Sequence, residues 1–84
     1  MLYVIARLVI EPGSLGDVIK AASPCLKATR EEVGCISYDL YVDATDETRL
    51  AFVERWESRA ALEGHFRAPH LKAWREAGFP IASD

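Results

Sequence analysis

The opening segment of the chain is apolar on both sides, and this limits the possible folds more than any other feature. Residues 2–10, LYVIARLVI, lack glycine and proline and are rich in β-branched and aromatic side chains, which predicts a strand. Alternate side chains of a strand point to opposite faces, so Leu8 and Ile10 lie on one face and Tyr3 and Ile5 on the other. Such a strand has to be covered on both faces.

A helix is predicted after this strand. Ser14 and Asp17 resemble a capping box at the helix start, with aspartate in place of the usual glutamate or glutamine, and apolar residues then recur at intervals of three and four as far as Gly34. Pro24 is expected to bend this helix because it removes a backbone hydrogen bond. The predicted apolar stripe consists of Leu15, Val18, Ile19, Ala22, Leu26, Thr29 and Val33.

Two further strands and a second helical segment follow. Segment Cys35–Asp43 alternates as a strand, and the polar residues 43–48 predict a hairpin turn to a third strand that begins at Arg49. In the third strand, one face carries Leu50, Phe52, Glu54 and Trp56. Ser58 is a candidate helix N-cap, and Pro69 suits the first turn of a renewed helix after a slight change of direction. Residues 79–84 predict at most a short final strand.

The order β-α-β-β-α, with a possible last strand, predicts an α+β fold of the split βαβ, ferredoxin-like type in a single domain spanning residues 1–84. Both helical segments would cover one face of the antiparallel sheet. The other face would then be bare, although the first strand is apolar there. We therefore expect two sheets to pack face to face in a homodimer, driven by burial of apolar area.

Composition excludes several classes of function. A net charge of −3 and a pI near 5.3 give no basic face for nucleic acid. The chain has no apolar run long enough to span a membrane and no leader pattern, so we expect no membrane association and a cytoplasmic location. Cys25 and Cys35 form neither a CxxC nor a zinc pattern and are interpreted as buried small hydrophobic residues.

Three segments resemble a known family: VIARLVIEPG (Val4–Gly13), EEVGC (Glu31–Cys35) and ERWESRAALEGHFRAPHLKAW (Glu54–Trp74). They are similar to the antibiotic biosynthesis monooxygenase domain, and most of all to small quinol monooxygenases. The resemblance implies a dimeric α+β barrel with a pocket between helices and sheet. It also implies oxidation of a small aromatic quinol, phenol or polyketide-like substrate by O2 without metal, haem or flavin. The haem-degrading branch carries asparagine where this chain has Ala6, and family members usually end in a full closing strand.

The resemblance also indicates candidate site residues. Such an enzyme mainly has to deprotonate its substrate, and a histidine titrates nearest neutral pH, so His65 is the candidate base. Trp56 would stack on the substrate ring and offer its indole N–H, and Glu54 would hold a histidine tautomer or orient the indole. The predicted catalytic residues are therefore His65, Trp56 and Glu54, and the predicted substrate contacts are Tyr38, Phe52, His70 and Phe66. The two histidines are five residues apart, which does not match a two-histidine helical metal site, so no metal is expected.

Two other interpretations remain open at this point. The same base and pocket would serve an isomerase or another proton-transfer enzyme acting on a small carbonyl metabolite. Alternatively, the chain is a non-catalytic, small-molecule-binding stress-response dimer in which His65 and Trp56 are core residues. A planar slot beside His65 would favour a flat aromatic substrate, whereas a filled core would favour the non-catalytic interpretation.

Overall fold

An antiparallel sheet with helices on one face forms the fold of the computed structural model, which describes residues 1–79 and 82–83. The strands are β1 (Leu2–Val9), β2 (Cys35–Asp43), β3 (Asp46–Trp56) and β4 (Ala82–Ser83). The helices are α1 (Leu15–Arg30), α2 (Arg59–Phe66) and α3 (Pro69–Glu76). The strand order is β2-β3-β1-β4, which confirms the predicted ferredoxin-like α+β fold.

β3 is an interior strand of the sheet and pairs antiparallel with both β1 and β2. The four residues predicted to share one face of β3, Leu50, Phe52, Glu54 and Trp56, are all buried under the helices. The β2–β3 register shifts between Cys35 and Ser37, so Ile36 does not follow the predicted alternation. As a result, Ile36 is 42% exposed although Tyr38 is 2% exposed.

α1 packs across the sheet against β2 and against α3. Its buried side chains are Val18, Ala22, Cys25 and Thr29, which follow the helical spacing. Pro24 lies inside the helix and does not end it. The predicted burial of both cysteines is confirmed for Cys25, whereas Cys35 is only partly buried.

Both ends of α1 differ from the prediction. The Ser14 side chain makes no capping hydrogen bond, because its hydroxyl instead donates to the backbone carbonyl of Glu11 over 2.7 Å. The helix ends at Arg30, one turn before Gly34, and Val33 is 93% exposed where the stripe predicted a buried residue. The intervening residues form a turn that ends at Gly34, whose φ of +87° favours glycine.

The second helical segment agrees better with the sequence. Ser58 caps α2, where its side chain accepts a hydrogen bond from the backbone N–H of Ala61 at 3.2 Å. Pro69 begins α3, as predicted from its missing N–H. The two short helices are separated by a break at residues 67–68, where the sequence predicted a change of direction before Pro69.

The sheet face away from the helices is open in the single chain and carries large apolar side chains. Tyr3 is 68% exposed and Ile5 is 63% exposed on β1, and Tyr41 is 56% exposed on β2. The outward-facing side chains of β1 therefore include large apolar ones, and no helix among the described residues covers them. Among the described residues, no helix has the length and apolarity needed to cross a bilayer.

Candidate functional site

The side chain of Glu32 connects the two histidines of the chain. Its Oε2 atom lies 2.7 Å from Nδ1 of His65 and 2.7 Å from Nε2 of His70. The His65 side chain is only 3% exposed, whereas those of Glu32 and His70 are 17% and 21% exposed. The cluster thus begins in the core and reaches the protein surface.

Three separate elements bring these side chains together. Glu32 lies in the turn after α1, His65 in the last turn of α2, and His70 in the first turn of α3. The turn is fixed by Gly34, whose carbonyl accepts the backbone N–H of Glu57 at 2.8 Å. A Cβ atom at Gly34 would overlap the side chain of Ala61, so the turn lies directly against α2.

Aromatic rings enclose His65 on its core side. The ring centroid of Trp56 is 5.0 Å from that of His65, and the Tyr38 centroid is 5.2 Å away in an edge-on orientation. Trp56 is fully buried, and its indole N–H donates to Oε1 of Glu54 over 3.0 Å. Of the two roles predicted for Glu54, the structure therefore supports orientation of the indole.

The indole N–H of Trp56 is consequently already used. A substrate oxygen would have to compete with Glu54 for it, so the predicted donation from Trp56 to a substrate is not available in this arrangement. The carboxylate that contacts Nδ1 of His65 is that of Glu32, which was not among the predicted site residues. If the Glu32 carboxylate accepts a hydrogen bond from Nδ1–H of His65, the neutral ring carries its lone pair on Nε2. This tautomer is assigned from the hydrogen bonding.

Burial changes the acid–base properties of the surrounding groups. Desolvation raises the pKa of Glu54, an effect that the hydrogen bond from Trp56 and the proximity of His65 partly offset. Desolvation also raises the pKa of Tyr38 well above its ordinary value, so its hydroxyl stays protonated at neutral pH. Tyr38 is therefore a neutral wall of the site.

The residues predicted to contact the substrate lie at different distances from His65. Phe52 is buried, but its ring contacts are with Tyr38 at 5.5 Å and Trp74 at 5.9 Å, one layer away from His65. Phe66 is 53% exposed, with its ring centroid 6.1 Å from that of His65. Tyr38 adjoins His65 directly, and His70 joins the cluster through Glu32.

Two depressions of the surface were found, and only one of them adjoins the cluster of Glu32, His65 and His70. One of about 510 Å³ is lined by Glu32, Val33, Gly34, Glu57, Ser58, Ala60, Ala61 and Gly64. Another, of about 590 Å³, lies at the hairpin end of the sheet around Tyr41 and Arg49. Neither of these two depressions is lined by His65 or Trp56, so a substrate bound in either would not contact His65 in this arrangement.

No metal site was expected, because five residues separate the two histidines whereas a two-histidine helical site has a spacing of four. In the structure α2 ends between the two histidines. A carboxylate oxygen of Glu32 joins their two ring nitrogens as a third possible metal ligand. The candidate ligand atoms of Glu32, His65 and His70 all lie within 4.8 Å of one another. The five-residue separation is therefore no obstacle to their meeting at one point.

Comparison with known proteins places the chain in a family. The family model described as antibiotic biosynthesis monooxygenase matches residues 1–77. The chain belongs to the antibiotic biosynthesis monooxygenase family. This membership supports a monooxygenase-type function for the chain and confirms the resemblance on which the candidate residues were chosen.

Individual relatives agree with the assignment at modest identity. "Probable quinol monooxygenase YgiN" of Escherichia coli is 32% identical over 87 residues, covering 92% of this chain and 84% of that protein. "Putative monooxygenase Rv0793" of Mycobacterium tuberculosis is 38% identical over 72 residues, covering 86% and 70%. An uncharacterized Synechocystis protein, sll1783, is 32% identical over 75 residues, and the chain spans only 51% of its length.

Solved structures share the whole fold. A crystal structure described as an antibiotic biosynthesis monooxygenase superposes with a TM-score of 0.85 at 31% identity, covering 100% of this chain and 96% of that one. The structure of Rv0793 from Mycobacterium tuberculosis gives 0.82 at 33% identity, covering 98% and 88%. The architecture that brings Glu32 to the two helices is thus a fold of this family.

Proposed function

We propose that this family member is a cofactor-independent monooxygenase that oxidises a small aromatic quinol, phenol or polyketide-like substrate with O2. The observation that supports the proposal best is the short contact between Glu32 and Nδ1 of His65, beside the faces of Trp56 and Tyr38. It combines an oriented histidine base with flat apolar walls, which is what deprotonation of an aromatic alcohol requires.

In this mechanism Nε2 of His65 takes the phenolic proton, and Glu32 stabilises the imidazolium that forms. The substrate anion then transfers one electron to O2, and recombination of the two radicals gives a peroxide. One oxygen atom stays on the substrate and the other leaves as water. O2 is the oxidant, and all four electrons that reduce it come from the substrate. The ring of Trp56, fixed by its bond to Glu54, orients the substrate by stacking.

Oxygen uptake with a panel of hydroquinones and phenols tests this proposal. We expect uptake that depends on protein and saturates with at least one substrate, and a loss of about 10²-fold or more in His65→Ala, the range of general-base contributions. Glu31→Gln is the matched control, because Glu31 is an exposed acid next to Glu32 and outside the site. Full turnover by His65→Ala would show that this residue is not the base.

The burial of His65 favours a second candidate, a non-catalytic binding or stress-response protein in which the cluster only stabilises the fold. His65 is 2% exposed, and neither depression described above reaches it. In that case no hydroquinone would accelerate oxygen uptake, and His65→Ala would lower the melting temperature alone. An isomerase would instead exchange substrate C–H for deuterium in D2O without consuming O2.

We also propose that two chains associate through the open face of the sheet. The support is the apolar outer side of β1, where Tyr3 and Ile5 are 68% and 63% exposed. Ile5→Lys should convert a dimer to a monomer in light scattering, and Ile19→Lys on α1, where Ile19 is 41% exposed, is the matched control. A wild-type monomer at micromolar concentration would refute the association.

A further inference from the structure

We propose that Glu32, His65 and His70 form a binding site for a divalent transition-metal ion of the Zn²⁺ type. These residues offer one carboxylate oxygen and two imidazole nitrogens, supplied by the turn after α1, by α2 and by α3. Two histidines with one carboxylate is a donor set that holds catalytic zinc and non-haem iron in proteins.

The geometry converges on one point. Both imidazole nitrogens lie 2.7 Å from the same carboxylate oxygen of Glu32, and all three candidate ligand atoms lie within 4.8 Å of one another. Zn–N and Zn–O bonds of about 2.0–2.1 Å at tetrahedral angles place ligand atoms roughly 3.3 Å apart. Each N···O pair therefore has to open by about 0.6 Å for an ion to enter, and the two nitrogens, which lie within 4.8 Å of each other, have to reach a separation of about 3.3 Å.

Charge and burial also suit a cation. One carboxylate with two neutral imidazoles carries a net charge of −1, and the ion replaces the hydrogens that now bridge Glu32 to each ring. His65 is held between the rings of Trp56 and Tyr38, so this ligand is already oriented. Glu32 and His70 are 17% and 21% exposed, which lets the ion enter from the surface and lets water complete its coordination.

Binding would change the chemistry of His65. When Nδ1 of a neutral imidazole binds an ion, the remaining hydrogen of the ring is carried by Nε2, which can then no longer accept a substrate proton. The ion would thus inhibit the base assigned above. This consequence rests on the proposed function, whereas the metal site itself does not.

The test is a calorimetric titration of untagged, chelator-treated protein with Zn²⁺ in the absence of any substrate. We expect one saturable equivalent per chain. His70→Gln and Glu32→Gln should each weaken the affinity at least tenfold, since outer-shell changes alone cost 10–100-fold. Glu31→Gln, which removes the same charge one residue away on an exposed side chain, should leave the affinity within about twofold.

The experiment also has to distinguish the proposed site from zinc binding by Cys35, because Cys35 is a partly buried free thiol close in sequence to Glu32. Visible absorption of the Co²⁺-loaded protein should show d–d bands without a thiolate charge-transfer band, and Cys35→Ser should bind like the wild type. The proposal is overturned by absence of saturable binding below millimolar Zn²⁺, by unchanged affinity in His70→Gln, or by loss of binding in Cys35→Ser. Failure of oxygen uptake would not affect it.

Discussion

Removal of the Glu32 carboxylate tests how much the cluster contributes to stability. Glu32→Ala leaves Nδ1–H of His65 without an acceptor, and at 3% exposure this side chain has little access to water. A hydrogen bond to a charged group contributes about 1.5–3 kcal/mol, so we expect a Glu32–His65 coupling energy in that range. His70 is 21% exposed and can bond water instead, so its coupling to Glu32 should stay below about 1 kcal/mol.

The assay is a pair of double-mutant cycles, Glu32→Ala with His65→Ala and Glu32→Ala with His70→Ala, measured by urea unfolding at pH 7. In each cycle the free-energy cost of the cavity that each alanine creates cancels, so that only the interaction energy between the two side chains remains. Protein concentration has to be held fixed, because association through the sheet would add to the apparent stability. Equal couplings for the two histidines, or a Glu32–His65 coupling under about 0.5 kcal/mol, would refute this reasoning.

Three further predictions concern positions that support the site. Gly34→Ala should lower the free energy of unfolding in urea by about 2–4 kcal/mol, because the cost of a left-handed alanine adds to the cost of its overlap with Ala61. Adding Ala61→Gly removes only the overlap and should restore part of the lost stability. Burial raises the pKa of Glu54 in the folded protein above its value in the unfolded chain. The contribution of Glu54 to the free energy of unfolding is therefore greatest below the unfolded pKa of about 4.3, and it falls as the pH rises through the folded pKa. Glu54→Gln keeps an acceptor for the indole and should reduce this decline, whereas equal pH profiles would contradict it. Ser58→Ala should cost about 1 kcal/mol by loss of the α2 cap, and the control Ser14→Ala, at a position without a side-chain cap bond, about half or less.

The strands could be predicted from the sequence because their signals are local. Alternation over residues 50–56 fixed which side chains of β3 are buried, and the bounds Cys35–Asp43 of β2 agree with the structure. The end of α1 was wrong by one turn, because the apolar spacing continues to Val33 although the chain has already left the helix after Arg30. Periodicity alone does not show where a helix gives way to a turn that ends in glycine.

Most of the candidate residues that the structure brings together lie on one stretch of the chain, and Tyr38 on β2 is the exception. His65, Trp56 and Glu54 were selected from one segment, and the structure brings them together. Glu32 was missed because it meets His65 across 33 positions, and that contact depends on how the turn after α1 packs on α2. The available signal was the acidic pair before Gly34 in a segment already recognised as family-like.

The two carboxylates beside His65 differ in what they can do, and their environments decide it. Glu54 is 5% exposed, accepts from a neutral indole, and has a raised pKa, so its environment disfavours negative charge. Glu32 is partly exposed and accepts from two imidazoles, each of which can become a cation. Positive charge in this site, whether an imidazolium formed by proton transfer or a bound metal ion, is therefore stabilised by Glu32, while Glu54 fixes the ring of Trp56. Both proposals for the site thus depend on the same carboxylate, and each uses Nδ1 of His65 in a way that excludes the other.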